Sequence, residues 1–94
     1  MLFSPRAAAD LDEIAAYIAR DNPGRAATFI DELEAQCKAV ARAPLNYPAR
    51  EDLAAGVRMA VFRRYLILFR ELPQTNVVRI ERVVHGARNL RHLF

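Results

Sequence analysis

The chain has one cysteine, Cys37, and one lysine, Lys38, and the scarcity of thiols closes off a class of structure. A lone thiol allows neither a disulfide framework nor a cysteine-based zinc site within one chain. Its i+4 spacing from Leu33 makes Cys37 a core thiol, and a reducing cytoplasm is the expected setting. No apolar run approaches the length of a membrane span. Arg6, Asp10, Asp12 and Glu13 interrupt the N-terminus before it could act as a secretory segment, so no membrane association is expected. The two histidines, His85 and His92, lie seven residues apart without clustered carboxylates, so no metal site or cofactor is expected. Internal repeats, low-complexity tracts and interdomain linkers are also missing, and 94 residues make one domain, residues 1–94.

What is present is enough to fold. The apolar fraction is 53% and the charged fraction 27%, ordinary values for a globular domain with a real core. Lys38 apart, every cation is an arginine, a planar multi-donor group suited to carboxylates and phosphates. High genomic G+C content would give the same bias without functional meaning. The distribution of charge is more informative. Residues 1–47 carry five basic groups against seven acidic ones, while residues 48–94 carry nine against four. A positive C-terminal half suggests an acidic partner or nucleic acid.

Ser4 followed by Pro5 reads as an N-cap and first helical residue, opening a helix over about 5–20. Ala8, Leu11, Ile14 or Ala15, and Ile18 keep the 3.6-residue period, which leaves Asp10, Glu13 and Arg20 toward water. Asn22-Pro23 repeats the signal for a second helix. Its stripe is Phe29, Ile30, Leu33, Cys37, Val40 and Ala41, and it ends before Pro44. So short a connection predicts an antiparallel helix hairpin. Residues 44–56 form the longest loop, and beyond them the period changes to two. "VRMAVF" alternates, "YLILFRE" is apolar on both faces as a central strand would be, and "VVRIERVVH" is the last strand. Arg63-Arg64 is a poor hairpin turn, because neither residue favours positive φ. In the last strand Val78, Ile80, Arg82 and Val84 form the expected core face, with Arg82 the exception. The order is β-α-α-β-β-β, an α+β fold in which a helix hairpin packs on a small, mainly antiparallel sheet that the N-terminal strand joins at an edge.

Three segments in this order, "FSPRAAADLDEIAAYIARDNPGRAATFIDEL", "RYLILFRE" and "VRIERVVHGARNLRHLF", resemble the ParE branch of the RelE/ParE toxin superfamily over nearly the whole chain. The resemblance implies the cytoplasmic toxin of a type II toxin–antitoxin system. It also implies a ParD-like antitoxin whose C-terminal segment wraps over the helix hairpin and the sheet, giving a hetero-oligomer. ParE-like members poison DNA gyrase, whereas RelE-like cousins cut mRNA in the ribosome. A shared fold does not choose between them.

RNA cleavage through the 2′-OH needs a general base, a general acid and cations around the phosphate. RelE-type nucleases typically supply a lysine or arginine cluster and a tyrosine or His-Tyr pair near the C-terminus. Here Tyr17, Tyr47 and Tyr65 all lie elsewhere, so no catalytic residue is assigned. Gyrase poisoning needs only a binding surface, because a protein that binds one state of the enzyme shifts its cleavage equilibrium. The candidate target contacts are Arg58, Arg79, Arg82, His85, Arg88, Arg91, Leu93 and Phe94. Leu90, Leu93 and Phe94 fall on one side of a short amphipathic turn, where they either meet a target or close the core. Two of these residues have a plainer reading: Arg82 paired with Asp10 or Glu13, and His85 ending its strand against a backbone group. Exposed apolar stripes and an open sheet edge suit an acidic antitoxin segment, with Leu11, Ile14, Ile18, Phe29, Leu33, Arg64 and Arg70 as candidate contacts. No sequence-specific DNA binding is expected of the chain alone. The alternatives are an mRNA endonuclease and a non-toxic antitoxin-binding module.

Overall fold

Two proline-led helix starts organise the N-terminal half. In the computed structural model, which describes residues 1–94, β1 is Leu2–Phe3, α1 is Pro5–Ala19 and α2 is Pro23–Arg42. The Ser4 hydroxyl accepts from the Ala7 N–H at 3.0 Å, and the Asn22 side chain accepts from the Arg25 N–H at the same distance. Each proline then occupies a position whose N–H would have no helical partner anyway. α2 stops at Arg42, directly before Ala43-Pro44, since a residue preceding proline is driven out of the helical region.

The sheet contains β2 (Arg58–Phe62), β3 (Tyr65–Glu71) and β4 (Val78–His85) in the order β1-β4-β3-β2. β1 lies parallel to β4 at one edge, and the other pairings are antiparallel. The hairpin between β2 and β3 does close through Arg63-Arg64 alone, with Arg63 at φ 54°. That region is uncommon for a non-glycine residue, and occupying it costs on the order of 1–2 kcal/mol. Gly86 sits beneath this turn and donates its N–H to the Arg64 carbonyl at 2.8 Å. A Cβ on Gly86 would stand 3.3 Å from that same oxygen, so even alanine would press on the turn.

The helix hairpin covers one face of the sheet. Ala7, Ile14, Phe29, Leu33, Cys37 and Val40 pack there against Ala60, Ile67, Phe69, Val78, Ile80 and Val83. Phe29 meets Phe62 and Tyr65 edge-on, each at 5.6 Å, and so pins α2 over the β2–β3 turn. Complete burial of a side chain such as Leu33 or Ile67 contributes about 1.5–3 kcal/mol. The opposite face carries a smaller cluster of Val57, Leu68 and Val84, covered by Leu53 and Ala54 of the long loop and by Leu90 and Leu93 of the tail. Burial raises the Cys37 thiol to about 12, with Glu34 adding to the shift, so the thiol stays protonated at neutral pH.

The structure corrects the expected faces in two places. Leu68 pairs with Arg82 while Phe69 pairs with Ile80, so Glu81 is an extra residue on β4. This bulge reverses the alternation partway along the strand. Val78 and Ile80 face the helices before it and Val83 after it, while Val84 joins the opposite cluster. Asp10 does not face water. It lies between Ala7 and Ile14 on the inward stripe of α1 and is 4% exposed.

Candidate functional site

The start of α1 is fastened to the outer edge of β4 by polar groups. Ser4 donates its N–H to the Ile80 carbonyl at 2.9 Å and its hydroxyl to the Glu81 carbonyl at 2.8 Å. Asp10 then accepts from Arg82 twice, from Nε at 2.8 Å and from Nη2 at 3.0 Å, and from the Val83 N–H at 2.9 Å. The hydrogen bonds to Asp10, with the Asp10 and Glu13 charges behind them, raise the Arg82 pKa above its ordinary value. A bidentate pair of this kind holds the arginine's planar group in register. Arg82 is 5% exposed and its Nε and Nη2 both donate to Asp10, so its burial and pairing do not suit it as a target contact. The pair links β4 to α1.

Beyond this pair, the ends of three elements converge. His85 ends β4 opposite Tyr65, the first residue of β3, and the two rings meet edge-on at 5.6 Å. The Ala87 N–H donates to His85 Nδ1 at 3.2 Å, the backbone contact expected of a strand-ending histidine. Tyr17 from α1 and Arg64 from the β2–β3 turn complete a cleft of about 420 Å³. A smaller recess beside it shares Tyr17, Tyr65 and His85 and adds Glu13 and Arg88. Burial, then the neighbouring Tyr17, raises the Tyr65 phenol above its ordinary value, so it is neutral at physiological pH. Sequence reasoning did not bring either tyrosine to His85. Tyr65 would have emerged from the register of β3 against β4, but Tyr17 carried no such signal.

The C-terminal tail forms a second surface. Leu90–His92 is a short 3-10 turn capped by Asn89, and Leu90 and Leu93 pack on the smaller apolar cluster. Core closure therefore accounts for both leucines. Phe94 remains 44% exposed, with the Arg70 guanidinium 5.7 Å from its ring centre. Arg88 and Arg91 are exposed, and neither forms an ion pair with a carboxylate. Arg79 pairs with Glu81 at the bulge, and Arg70 reaches the same carboxylate at 3.7 Å and the Ala55 carbonyl at 3.2 Å. Arg58 donates to the Tyr47 carbonyl at 2.7 Å and so fixes the long loop. Of the predicted target contacts, His85, Arg88, Arg91 and Phe94 are the freely presented ones.

The helical candidates for antitoxin contact divide by burial. Leu33 is 0% exposed, Phe29 6% and Ile14 7%, and all three are core residues beneath the sheet rather than surface anchors. Leu11 and Ile18 stay half-buried at the margin, and Arg64 is exposed at the β2–β3 turn. Leu11 lines a groove between the helices and β1. No helix is long and apolar enough to cross a membrane.

A helix hairpin laid across a short four-stranded sheet, with cations at one end and a folded-back tail, defines a small α+β domain of the toxin superfamily's architecture. Residues 1–90 match the family model described as the ParE toxin of the type II toxin–antitoxin system parDE, and the chain belongs to that family. Among solved structures it is similar to a chain of the chromosomal ParDE toxin–antitoxin system from P. aeruginosa. That similarity has a TM-score of 0.72 and 23% identity, and it covers 88% of this chain and 90% of the other. No curated protein sequence matches the chain.

Proposed function

We propose that this family member poisons DNA gyrase by binding it, and that a cognate antitoxin neutralises it by covering the helix hairpin and the sheet. The observation that carries this reading is the C-terminal tail, which exposes Arg88 at the His85 recess, Arg91, and Phe94 against Arg70, with neither Arg88 nor Arg91 in an ion pair. Arginine and aromatic side chains of this kind anchor protein interfaces. Binding alone suffices, because a ligand that prefers the cleaved state of gyrase accumulates that state. The similar ParDE assembly supports an antitoxin partner for this chain.

The test is a purified supercoiling reaction containing gyrase, plasmid and this chain. Broken DNA is expected with the wild type and its loss with Arg88→Glu/Arg91→Glu. A wild-type protein that leaves gyrase untouched would overturn the reading. The cleft gives a second reading some footing, since His85, Tyr65, Tyr17 and Arg64 gather a base, a phenol and a cation in one place. Transcript cleavage on translating ribosomes that His85→Ala abolishes would replace the first reading with that one.

A further inference from the structure

We propose that the cleft where α1, the β2–β3 turn and the end of β4 meet binds a free purine mononucleotide, with its base on the aromatic side chains and its phosphate on Arg64. The site needs neither gyrase nor the ribosome, and no bond is broken in it. Its volume of about 420 Å³ falls within the usual range for small-molecule sites, and its walls are Tyr17, Tyr65, His85 and Arg64. Tyr17 is 67% exposed and belongs to neither apolar cluster and to no aromatic pair, so packing does not account for its ring. The other walls are preorganised. Phe29 and His85 each meet the Tyr65 ring edge-on at 5.6 Å. His85 Nδ1 accepts from the Ala87 N–H at 3.2 Å, which leaves the ring proton on Nε2 as a donor. Arg64 stands on a turn that the Gly86 N–H fixes at 2.8 Å, and its side chain is exposed and in no ion pair.

No carboxylate lines the cleft, and burial keeps the Tyr65 phenol protonated at neutral pH, so nothing in it opposes an anion. Aromatic walls also suit a cation, but Arg64 sets like charge against one. In the adjoining recess Asp10 is already paired with Arg82, and Glu13 is the carboxylate without a partner. Glu13 therefore turns a phosphate toward Arg64 and favours an N–H donor on the recess side. Ring faces, a fixed cation and an acceptor at the far end complement a planar base that carries an amine and an anionic arm. A purine offers the tyrosines the larger face.

Calorimetry on the full chain at about 0.15 M salt, with AMP, adenosine and ribose 5-phosphate as probes, tests the site. AMP is expected to bind at least about fivefold tighter than either fragment, since only AMP engages both the rings and Arg64. Tyr17→Ser is expected to weaken AMP at least about fivefold, and Arg64→Gln should bring AMP down to the affinity of adenosine. Both side chains lie outside the apolar clusters, and Arg64→Gln keeps the carbonyl that Gly86 bonds. A melting curve checks the fold of each variant. AMP that binds no tighter than ribose 5-phosphate, or that binds either variant as well as wild type, overturns the proposal. So does a tetranucleotide that binds tighter than AMP and loses that affinity in Tyr17→Ser, because the cleft would then hold a strand. Absence of AMP binding up to roughly 10 mM also overturns it.

Discussion

Asp10 and Arg82 show how one buried pair can be worth more to the fold than to any partner. Both are almost fully enclosed, and the carboxylate also serves the Val83 N–H at 2.9 Å. Removing one member of such a pair leaves the other charge without a counterion away from water, which costs about 3–5 kcal/mol. For a domain of this size that is a large share of a total stability of roughly 5–15 kcal/mol. Asp10→Ala is therefore expected to unfold at a much lower urea midpoint. Asp10→Asn should lose less, because its amide oxygen still accepts from Val83. Arg82→Leu/Asp10→Leu should recover much of the loss, since the two apolar groups need no partners. Equal midpoints for wild type and Asp10→Ala would show that the pair does not hold α1 to β4. If Arg82→Leu keeps its stability and loses toxicity, the purely structural role assigned to Arg82 is wrong.

At the scale of elements, the β2–β3 hairpin is tied to α2 by Phe29 and by Glu32. Arg25 of the same helix and Arg63 of the turn both hydrogen-bond the Glu32 carboxylate, the latter at 3.0 Å. Those bonds, Arg25 first and then Arg63, hold its pKa below the ordinary 4.5. A carboxyl group depressed in the folded state stabilises above its unfolded pKa, and that contribution is lost as pH falls through the folded value. Glu32→Gln should thus melt below wild type near pH 7, and the difference should begin to shrink below about 4.5 and vanish only once pH has fallen through the still lower folded value. A gap that persists in acid would mean that the carboxylate charge is not what ties the turn to α2.

The same elements show what was legible in the sequence. Ser4-Pro5, Asn22-Pro23 and Ala43-Pro44 marked both helices almost to the residue, because capping and proline sterics act locally. Arg63-Arg64 was a weak turn signal, yet the hairpin forms, since pairing and packing along β2 and β3 outweigh one strained residue. The faces of β4 were misread because a bulge depends on the partner strand, and nothing in "IERVV" announces that Glu81 has no residue opposite. Asp10 was assigned to water by residue type, although its spacing from Ala7 and Ile14 placed it on the inward stripe. The cleft at Tyr17, Tyr65 and His85 depended on register and on how α1 crosses the sheet, which no local rule supplies.

The whole molecule is electrostatically two-sided, and this bears on how fast a partner finds it. The helix hairpin carries most of the carboxylates that lack an ion pair, interspersed with Arg6, Arg20 and Arg42, while the unpaired Arg64, Arg88 and Arg91 at the β2–β3 turn and the tail have few such carboxylates around them in sequence. Exposed charges of this kind steer the diffusional encounter more than they hold the final complex, and salt weakens that steering by screening them beyond roughly 10 Å at 0.1 M. An antitoxin with an acidic C-terminal segment should meet the arginine end first and settle on the helix groove afterwards. Stopped-flow association is then expected to slow by about tenfold or more between 50 and 500 mM salt, with dissociation changing much less. Arg88→Glu/Arg91→Glu should slow association at low salt and flatten its salt dependence. Asp12→Lys/Glu34→Lys should instead act on the dissociation rate, because those positions line the groove on the helix hairpin that the antitoxin is expected to cover. Association that ignores salt, or tail variants that change only dissociation, would place first contact somewhere other than the basic end.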